Sequence, residues 1–247
     1  MNIYDKLRKN NIVSKFWRAL ACISAINSYL CCRFIALIMK NTEIKNLLFD
    51  LGGVIMDIKR ANCVKAFEEM GMADANSLLG EYAQKGVFLE LEEGSITPAE
   101  FRAEIRKHVS REVTDEEIDS AFCKFLLGIP PHRLQELESL RGRYGIYLLS
   151  NTNPIMMESD IKKYFRVCGK EMNDYFDGLS LSYEAKSIKP DSKIFEYTIS
   201  HLGINPEETL FFDDSSVNLE AAAKFGFKTA LVEPGIEFAD IIKEKSL

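Results

Sequence analysis

The sequence runs to 247 residues, 47% hydrophobic and 28% charged, which suits one domain with or without an inserted lobe and excludes a disordered chain or a fibre. Its net charge of -6 divides unevenly: residues 1–38 carry +5 and the remaining 209 residues carry -11. So acidic a body is a poor partner for nucleic acid, yet it can hold a phosphate where a metal ion and a few placed cations offset the charge.

Residues 1–38 contain no Gly or Pro, three of the six cysteines (Cys22, Cys31, Cys32) and the only tryptophan, Trp17. Arg18, Asn27 and Arg33 interrupt the apolar patches, so the segment does not qualify cleanly as a membrane span of about 20 apolar residues, and a targeting or membrane role is the alternative reading. No small-x-small cleavage site follows at the distance a signal peptide requires. Residues 1–45 therefore read as a basic extension outside the catalytic unit, either with Met39 as the true start or with the head as a loosely attached helix. No C-x-x-C pair occurs and only three histidines are present, which argues against a structural zinc site. Free thiols in a reducing cytoplasm are expected, with no membrane association.

The first strand-like run is Leu47–Phe49, ending in Asp50. About 90 residues then pass without a strong strand, far beyond an ordinary connection. Ala61–Met70, Ser77–Lys85, Pro98–Val109 and Asp115–Leu127 read as helices there. Thr97 with Glu100, and Thr114 with Glu117, have capping-box spacing. Gly94, Pro130 and Pro131 punctuate the segment. Strand-like runs then alternate with helical patterns: His132–Arg141, Ile146–Leu149 ending in Ser150, Pro154–Phe165, a weaker run at Phe176–Leu181, Asp191–Leu202, Leu210–Phe212 ending in Asp213-Asp214, Val217–Phe225, Thr229–Val232 and Ile236–Glu244. This alternation predicts an α/β fold, a Rossmann-like parallel sheet covered on both faces. The core takes residues 46–59 and 131–247, and residues 60–130 form an inserted α-helical cap.

In open parallel sheets the ligand sits beyond the carboxyl ends of the strands. Asp50, Ser150 and Asp213-Asp214 stand at three such ends, and Lys189 follows the weaker run in Ser187-Ile188-Lys189-Pro190-Asp191. Each residue alone has a plainer reading as a turn former, a helix cap or a solvated charge. Two adjacent acids after an apolar strand repel one another unless a cation is present, which favours a metal.

Taken together, Leu47-Leu48-Phe49-Asp50-Leu51-Gly52-Gly53, Leu148-Leu149-Ser150-Asn151-Thr152, Lys189-Pro190-Asp191 and Phe211-Phe212-Asp213-Asp214-Ser215 resemble the four motifs of the haloacid dehalogenase-like hydrolases. The resemblance covers about residues 45–235 and looks like a helical-cap phosphatase of the α-D-glucose-1-phosphate phosphatase type. It implies Asp50 as nucleophile, forming an aspartyl phosphate. It implies Mg²⁺ held by the Asp50 carboxylate, the Gly52 carbonyl and Asp214, with Asp213 behind them. Ser150 and Lys189 would contact the phosphoryl group, with backbone N–H groups at Leu51, Gly52, Gly53 and Asn151. Lys186 competes with Lys189 for the cation's role. Asn218 stands where many relatives carry a further acid, and is expected to hydrogen-bond behind the metal ligands.

One departure matters. Most phosphatases of this superfamily carry a second aspartate two residues after the nucleophile, as a proton donor to the leaving oxygen; here that position is Gly52. Glucose-1-phosphate phosphatase-like relatives share this glycine, and share a Phe-x-x-x-Glu-x-Gly-x-Ile pattern, here Phe88, Glu92, Gly94 and Ile96. Glu90, Glu92 and Glu93 are candidate replacement acids, and a solvated helix end is the plainer reading for all three. The expectation is a Mg²⁺-dependent phosphatase for a small phosphorylated metabolite, a sugar phosphate, working as a monomer or weak homodimer. A metal-independent haloacid dehalogenase and a non-catalytic phosphometabolite-binding protein are the alternatives.

Overall fold

The apolar runs become β-strands in a computed structural model of the chain, which describes residues 43–80 and 84–247. The readings of the basic head and of Met39 as a start lie outside the described residues. In chain order the strands are β1 (Asn46–Phe49), β2 (Asp57–Ile58), β3 (Leu126–Gly128), β4 (Gly145–Ser150), β5 (Gly178–Leu181), β6 (Thr209–Asp213) and β7 (Lys228–Leu231). Five of them form one parallel sheet in the order β5-β4-β1-β6-β7.

The most apolar strand is central. Leu47, Leu48 and Phe49 are all fully buried, because helices cover both faces of β1. On one face Leu48 packs with Leu149, Ile194, Phe195 and Phe211. On the other, the Phe49 ring stacks on Phe212 at 4.9 Å and meets the edge of Phe238 at 5.1 Å. The chain fills the sheet outward from β1 through β4 to β5, then crosses to β6 on the other side. The switch point thus lies between β1 and β6, where α/β sheets form their ligand crevice.

Helices Arg60–Glu69, Ala75–Leu78, Val87–Glu92, Pro98–His108 and Asp115–Cys123 lie between β2 and β3. Phe67, Phe88, Phe101 and Phe122, all fully buried, interlock there with centroids 5.2–6.2 Å apart. Both capping boxes form. Glu100 N–H donates to Thr97 Oγ1 at 3.3 Å and Glu117 N–H to Thr114 Oγ1 at 3.2 Å, while each glutamate accepts from the threonine N–H at 2.8 Å. Residues 43–247 form one compact unit.

Three local expectations change. The helix expected over Ser77–Lys85 forms only at Ala75–Leu78; Leu79 leaves helical geometry just before Gly80, and residues 81–83 lie outside the described residues. A helix not foreseen, Val87–Glu92, starts after Gly86, whose φ is 53°, and ends before Gly94, whose φ is 65°. The helix expected to reach Leu127 stops at Cys123, and Leu126–Gly128 pairs antiparallel with Asp57–Ile58. No helix among the described residues is long and apolar enough to cross a membrane. Cys63, Cys123 and Cys168 are free thiols.

Candidate active site

The strand ends at the switch point deliver three carboxylates to one spot, and the loop ahead of the Ser192–Leu202 helix brings one ammonium to them. Asp50 follows β1 directly, and its N–H donates to Phe212 O on β6 at 2.8 Å. Asp213 ends β6, fully buried, and Asp214 follows it. Carboxylate oxygens of Asp50, Asp213 and Asp214 lie within 4.8 Å of one another. Lys189, 3% exposed, places Nζ 2.8 Å from Asp50 Oδ1 and 2.7 Å from Asp213 Oδ2, and donates to Leu149 O at 3.2 Å. All three ammonium hydrogens thus have acceptors. Geometrically Lys189 is first a brace between carboxylates, and a phosphoryl oxygen reaches it only by displacing one of these contacts.

Further side chains fix this brace. Asn151 clamps the Lys189 backbone, its Nδ2 donating to Lys189 O at 3.0 Å and its Oδ1 accepting from Lys189 N–H at 2.8 Å. Asp213 accepts from Ser215 N–H at 2.8 Å and from Asn218 Nδ2 at 3.0 and 3.2 Å. Asn218 therefore stands where the sequence suggested, behind the carboxylates. Ser150 ends β4, 2% exposed, and lines the same cavity as Asp50. Lys186 is elsewhere engaged, donating to Gly94 O at 2.6 Å.

The electrostatics are those of an incompletely neutralised acidic cluster. Burial pushes the Asp50 carboxyl up to about 7 against the pull of Lys189, with Asp213 and Asp214 adding to the rise. Burial and Asp213 also raise Asp214. Burial opposes the Lys189 charge, but Asp213 and Asp50 outweigh it and hold the ammonium above its ordinary value. One positive charge is shared among three acids, so a further cation fits the excess. Hard carboxylate oxygens suit Mg²⁺.

The loop after β1 keeps the cluster accessible. Gly53 has φ 77°, and a Cβ there would overlap the Asp214 carboxylate. Its N–H does not join a phosphate cradle as expected, because it donates to Met56 O at 2.9 Å. The Leu51 and Gly52 N–H groups have no acceptor among the described residues. A Cβ on Gly52 would lie 3.3 Å from Ile58 Cδ1, so an apolar side chain borders the place of the missing acid.

A cavity of about 170 Å³ opens over this end of the sheet, lined by Asp50, Leu51, Gly52, Ser150, Asn151, Lys189 and Asp214. Glu92 lines it too, only partly exposed, which corrects its reading as a solvated helix end. Phe88 and Glu92 are one turn apart, so Glu92 shares the inward face of a fully buried phenylalanine. Burial pushes its carboxyl up to about 8. Gln84, Thr152, Ser215 and Asn218, not foreseen as lining residues, add polar groups to the wall.

Residues 44–226 match the haloacid dehalogenase-like hydrolase family. D-Ribitol-5-phosphate phosphatase of Bacteroides thetaiotaomicron is 42% identical over 195 residues, covering 79% of this chain and 95% of that one. (S)-2-haloacid dehalogenase 4A of Burkholderia cepacia is 27% identical over 219 residues, 81% of this chain and 89% of that one. Among solved structures, a family enzyme of B. thetaiotaomicron in complex with magnesium and inorganic phosphate has a TM-score of 0.75 and 39% identity, covering 80% of this chain and 98% of that one. A family hydrolase of Porphyromonas gingivalis has a TM-score of 0.76 and 33% identity, covering 82% and 98%. With its sheet order, its four strand-end motifs and these relatives in agreement, the chain belongs to the haloacid dehalogenase-like hydrolases.

Proposed function

We propose that this protein is a Mg²⁺-dependent phosphatase of small phosphate monoesters, those of sugars or sugar alcohols, with Asp50 as nucleophile. The observation that carries the reading is the cluster itself: Asp50 at the end of the central strand, braced by Lys189 at 2.8 Å and grouped with Asp213 and Asp214. The reading is supported by the relative named for ribitol 5-phosphate and by the related structure that holds magnesium and phosphate. The paired acids at the end of β6 speak against a metal-independent attack on carbon.

Asp50 Oδ attacks phosphorus, the P–O bond to the alcohol breaks, and the departing alkoxide takes a proton from water. Water then attacks the phosphorus of the aspartyl phosphate, releasing inorganic phosphate and restoring Asp50. Asp50, Asp214 and the Gly52 carbonyl would hold Mg²⁺, which when bound neutralises phosphoryl charge and screens the nucleophile from the dianion. Lys189 favours the ionised form of Asp50 and aims it, Asp213 fixes Lys189, and Ser150 with the Leu51, Gly52 and Asn151 N–H groups donates to phosphoryl oxygens. Residues 60–130 serve as the cap that excludes bulk water over a core of residues 46–59 and 131–247. The reading extends to a cytoplasmic enzyme acting as a monomer or weak homodimer, which light scattering tests.

The test is phosphate release from a panel of sugar and sugar-alcohol phosphates, with Mg²⁺ and after chelation. Turnover on at least one member, lost on chelation, is expected. Halide release from 2-haloacids that survives chelation would replace this reading with the dehalogenase. Phosphate-ester binding without any turnover would replace it with the non-catalytic binder.

A further inference from the structure

Three polar groups of the cavity wall have no part in the phosphoryl chemistry. Gln84 Oε1 and Thr152 Oγ1 are buried with no hydrogen-bond partner among the described residues, and both residues line the cavity that holds Asp50. Thr152 is only 4% exposed. Its backbone is pinned on both sides by Ser182, whose Oγ accepts from Thr152 N–H and donates to Thr152 O, each at 2.9 Å. The backbone that carries the unpaired hydroxyl is thus held in place. Buried polar groups are rarely left unpaired, because each then carries the full cost of its lost hydration.

Glu92 is the third. The turn that ends its helix is fitted against the sheet domain: a Cβ on Gly94 would run into the Tyr183 carbonyl, and Lys186 Nζ holds the Gly94 carbonyl at 2.6 Å. The side chain is therefore carried to the cavity by a fixed element. Burial alone accounts for its raised carboxyl, with nothing contributed by Asp50, Asp213 or Asp214. Its charge is felt by the buried Cys63 thiol of the neighbouring helix. A carboxylic acid both donates and accepts, a free amide oxygen accepts, and a hydroxyl does either. Met56, Ile58, Phe125, Leu126, Met156 and Ile161 make the remaining wall apolar, matched to a carbon chain.

We propose that Glu92, Gln84 and Thr152 form a hydroxyl-recognition subsite that selects phosphate esters of short polyhydroxylated alcohols. The proposal rests on the phosphatase reading and names the part of the substrate that reading leaves open. Glu92 is a specificity residue here, not the proton donor that Gly52 fails to supply. A site built to hydrogen-bond hydroxyls rejects an analogue that lacks them, because its own polar groups then stay buried and unpaired.

The test compares D-ribitol 5-phosphate with butyl phosphate, two alkyl esters of which only the first carries hydroxyls beyond the ester. The readout is the ratio of their kcat/KM values. Glu92→Ala is expected to lower that ratio about 10-fold to 100-fold, mainly through KM on the ribitol ester. Glu92→Gln, which keeps a donor and an acceptor, recovers most of it, and Thr152→Val, nearly isosteric, lowers the ratio about 5-fold to 10-fold. An unchanged ratio in Glu92→Ala overturns the proposal. Both rates falling together marks a proton donor or a structural role, and neither falling marks a bystander. p-Nitrophenyl phosphate, assayed with Mg²⁺ on the wild-type protein, separates the two levels. No release from any of the three esters sinks the phosphatase reading itself, whereas release with an insensitive ratio sinks only the subsite.

Discussion

Replacing Lys189 by methionine removes the one positive charge that Asp50 and Asp213 share. The ammonium is 2.8 Å from Asp50 and 2.7 Å from Asp213, and the three side chains are 1%, 12% and 0% exposed. Breaking a buried pair costs about 3–5 kcal/mol, because the orphaned charge has neither water nor a counter-ion. Here two carboxylates are orphaned together, but the loss has a ceiling. Asp213 keeps the Ser215 N–H and the Asn218 amide, and Asp50, already raised to about 7, escapes by taking a proton. That leaves about 3 kcal/mol at pH 8 in the metal-free protein, a fall in Tm of about 6–12 °C for a domain of this size. The pH dependence has a definite sign. The unfolded Asp50 carboxyl releases its proton near 3.8, and the folded one holds it to about 7 with Lys189 present and higher without it, so the deficit opens between pH 7 and pH 8 and is smaller at pH 4. Urea unfolding in EDTA at pH 4 and pH 8 measures it. Mg²⁺ at 100 times its Kd then restores about 2.7 kcal/mol to any fold that still binds it. A loss under about 1 kcal/mol at pH 8 in EDTA would refute the reasoning, since Lys189 would then not be compensating a buried charge.

Asp50→Asn is expected to reduce phosphate release to background while leaving the thermal midpoint unchanged or raised, since it removes one of three crowded carboxylates; residual turnover would displace Asp50 as nucleophile. Gly53→Ala forces a Cβ into the left-handed region and onto the Asp214 carboxylate. It is expected to lose about 1–2 kcal/mol of stability and to weaken Mg²⁺ binding by calorimetry, and an unaltered affinity would remove Asp214 from the ligand set. Glu92→Gln carries its own pH signature. The wild-type carboxyl, raised from 4.5 to about 8 by burial, makes the fold lose stability as pH rises from about 4.5 to 8 and no further above that. At 1.36 kcal/mol per pKa unit the ceiling is about 5 kcal/mol, with about 1–3 kcal/mol expected after relaxation. The glutamine variant should lose this slope and be the more stable protein at pH 8, and parallel curves would mean that Glu92 is solvated after all.

The parts of the fold legible in the sequence are those set by local pattern. Strand ends announced themselves where an apolar run met Asp50, Ser150 or Asp213, and the capping boxes at Thr97 and Thr114 start their helices where the spacing put them. What was hidden is set by distant partners. Asn151 reads as a turn former, but its amide clamps a backbone 38 residues away. The β2–β3 pair unites two- and three-residue strands nearly 70 positions apart, and neither is long enough to show alternation. Glu90, Glu92 and Glu93 share one helix end and are alike as residue types, yet Glu92 alone among them lines the cavity. The one-turn spacing from Phe88 was the available signal, and it becomes informative only once Phe88 is known to point inward.

The glycine at position 52 and the wall opposite it belong to one arrangement. A Cβ at Gly52 would press on Ile58 at 3.3 Å. Ile58 is held by its pairing with Leu126, and the next residue, Lys59, donates its N–H to Phe125 O at 2.8 Å. An aspartate at 52 therefore meets an apolar wall that is pinned from behind, and its carboxylate would be desolvated against Ile58. With no acid beside the leaving oxygen, the alkoxide must gather its proton from water, and its own basicity then weighs heavily on the barrier. Across a series of aryl phosphates too rigid to use the hydroxyl subsite, log kcat/KM is expected to fall steeply as the leaving-group pKa rises. A flat series would mean that some group does the work absent from position 52, and Glu92→Gln would identify it by restoring the slope. Polyhydroxylated alcohols are poor leaving groups by that measure, so for them the enzyme relies on binding energy from the far end of the substrate. Contacts to several hydroxyls hold the ester in line with Asp50 and offset in orientation what is lost in proton transfer.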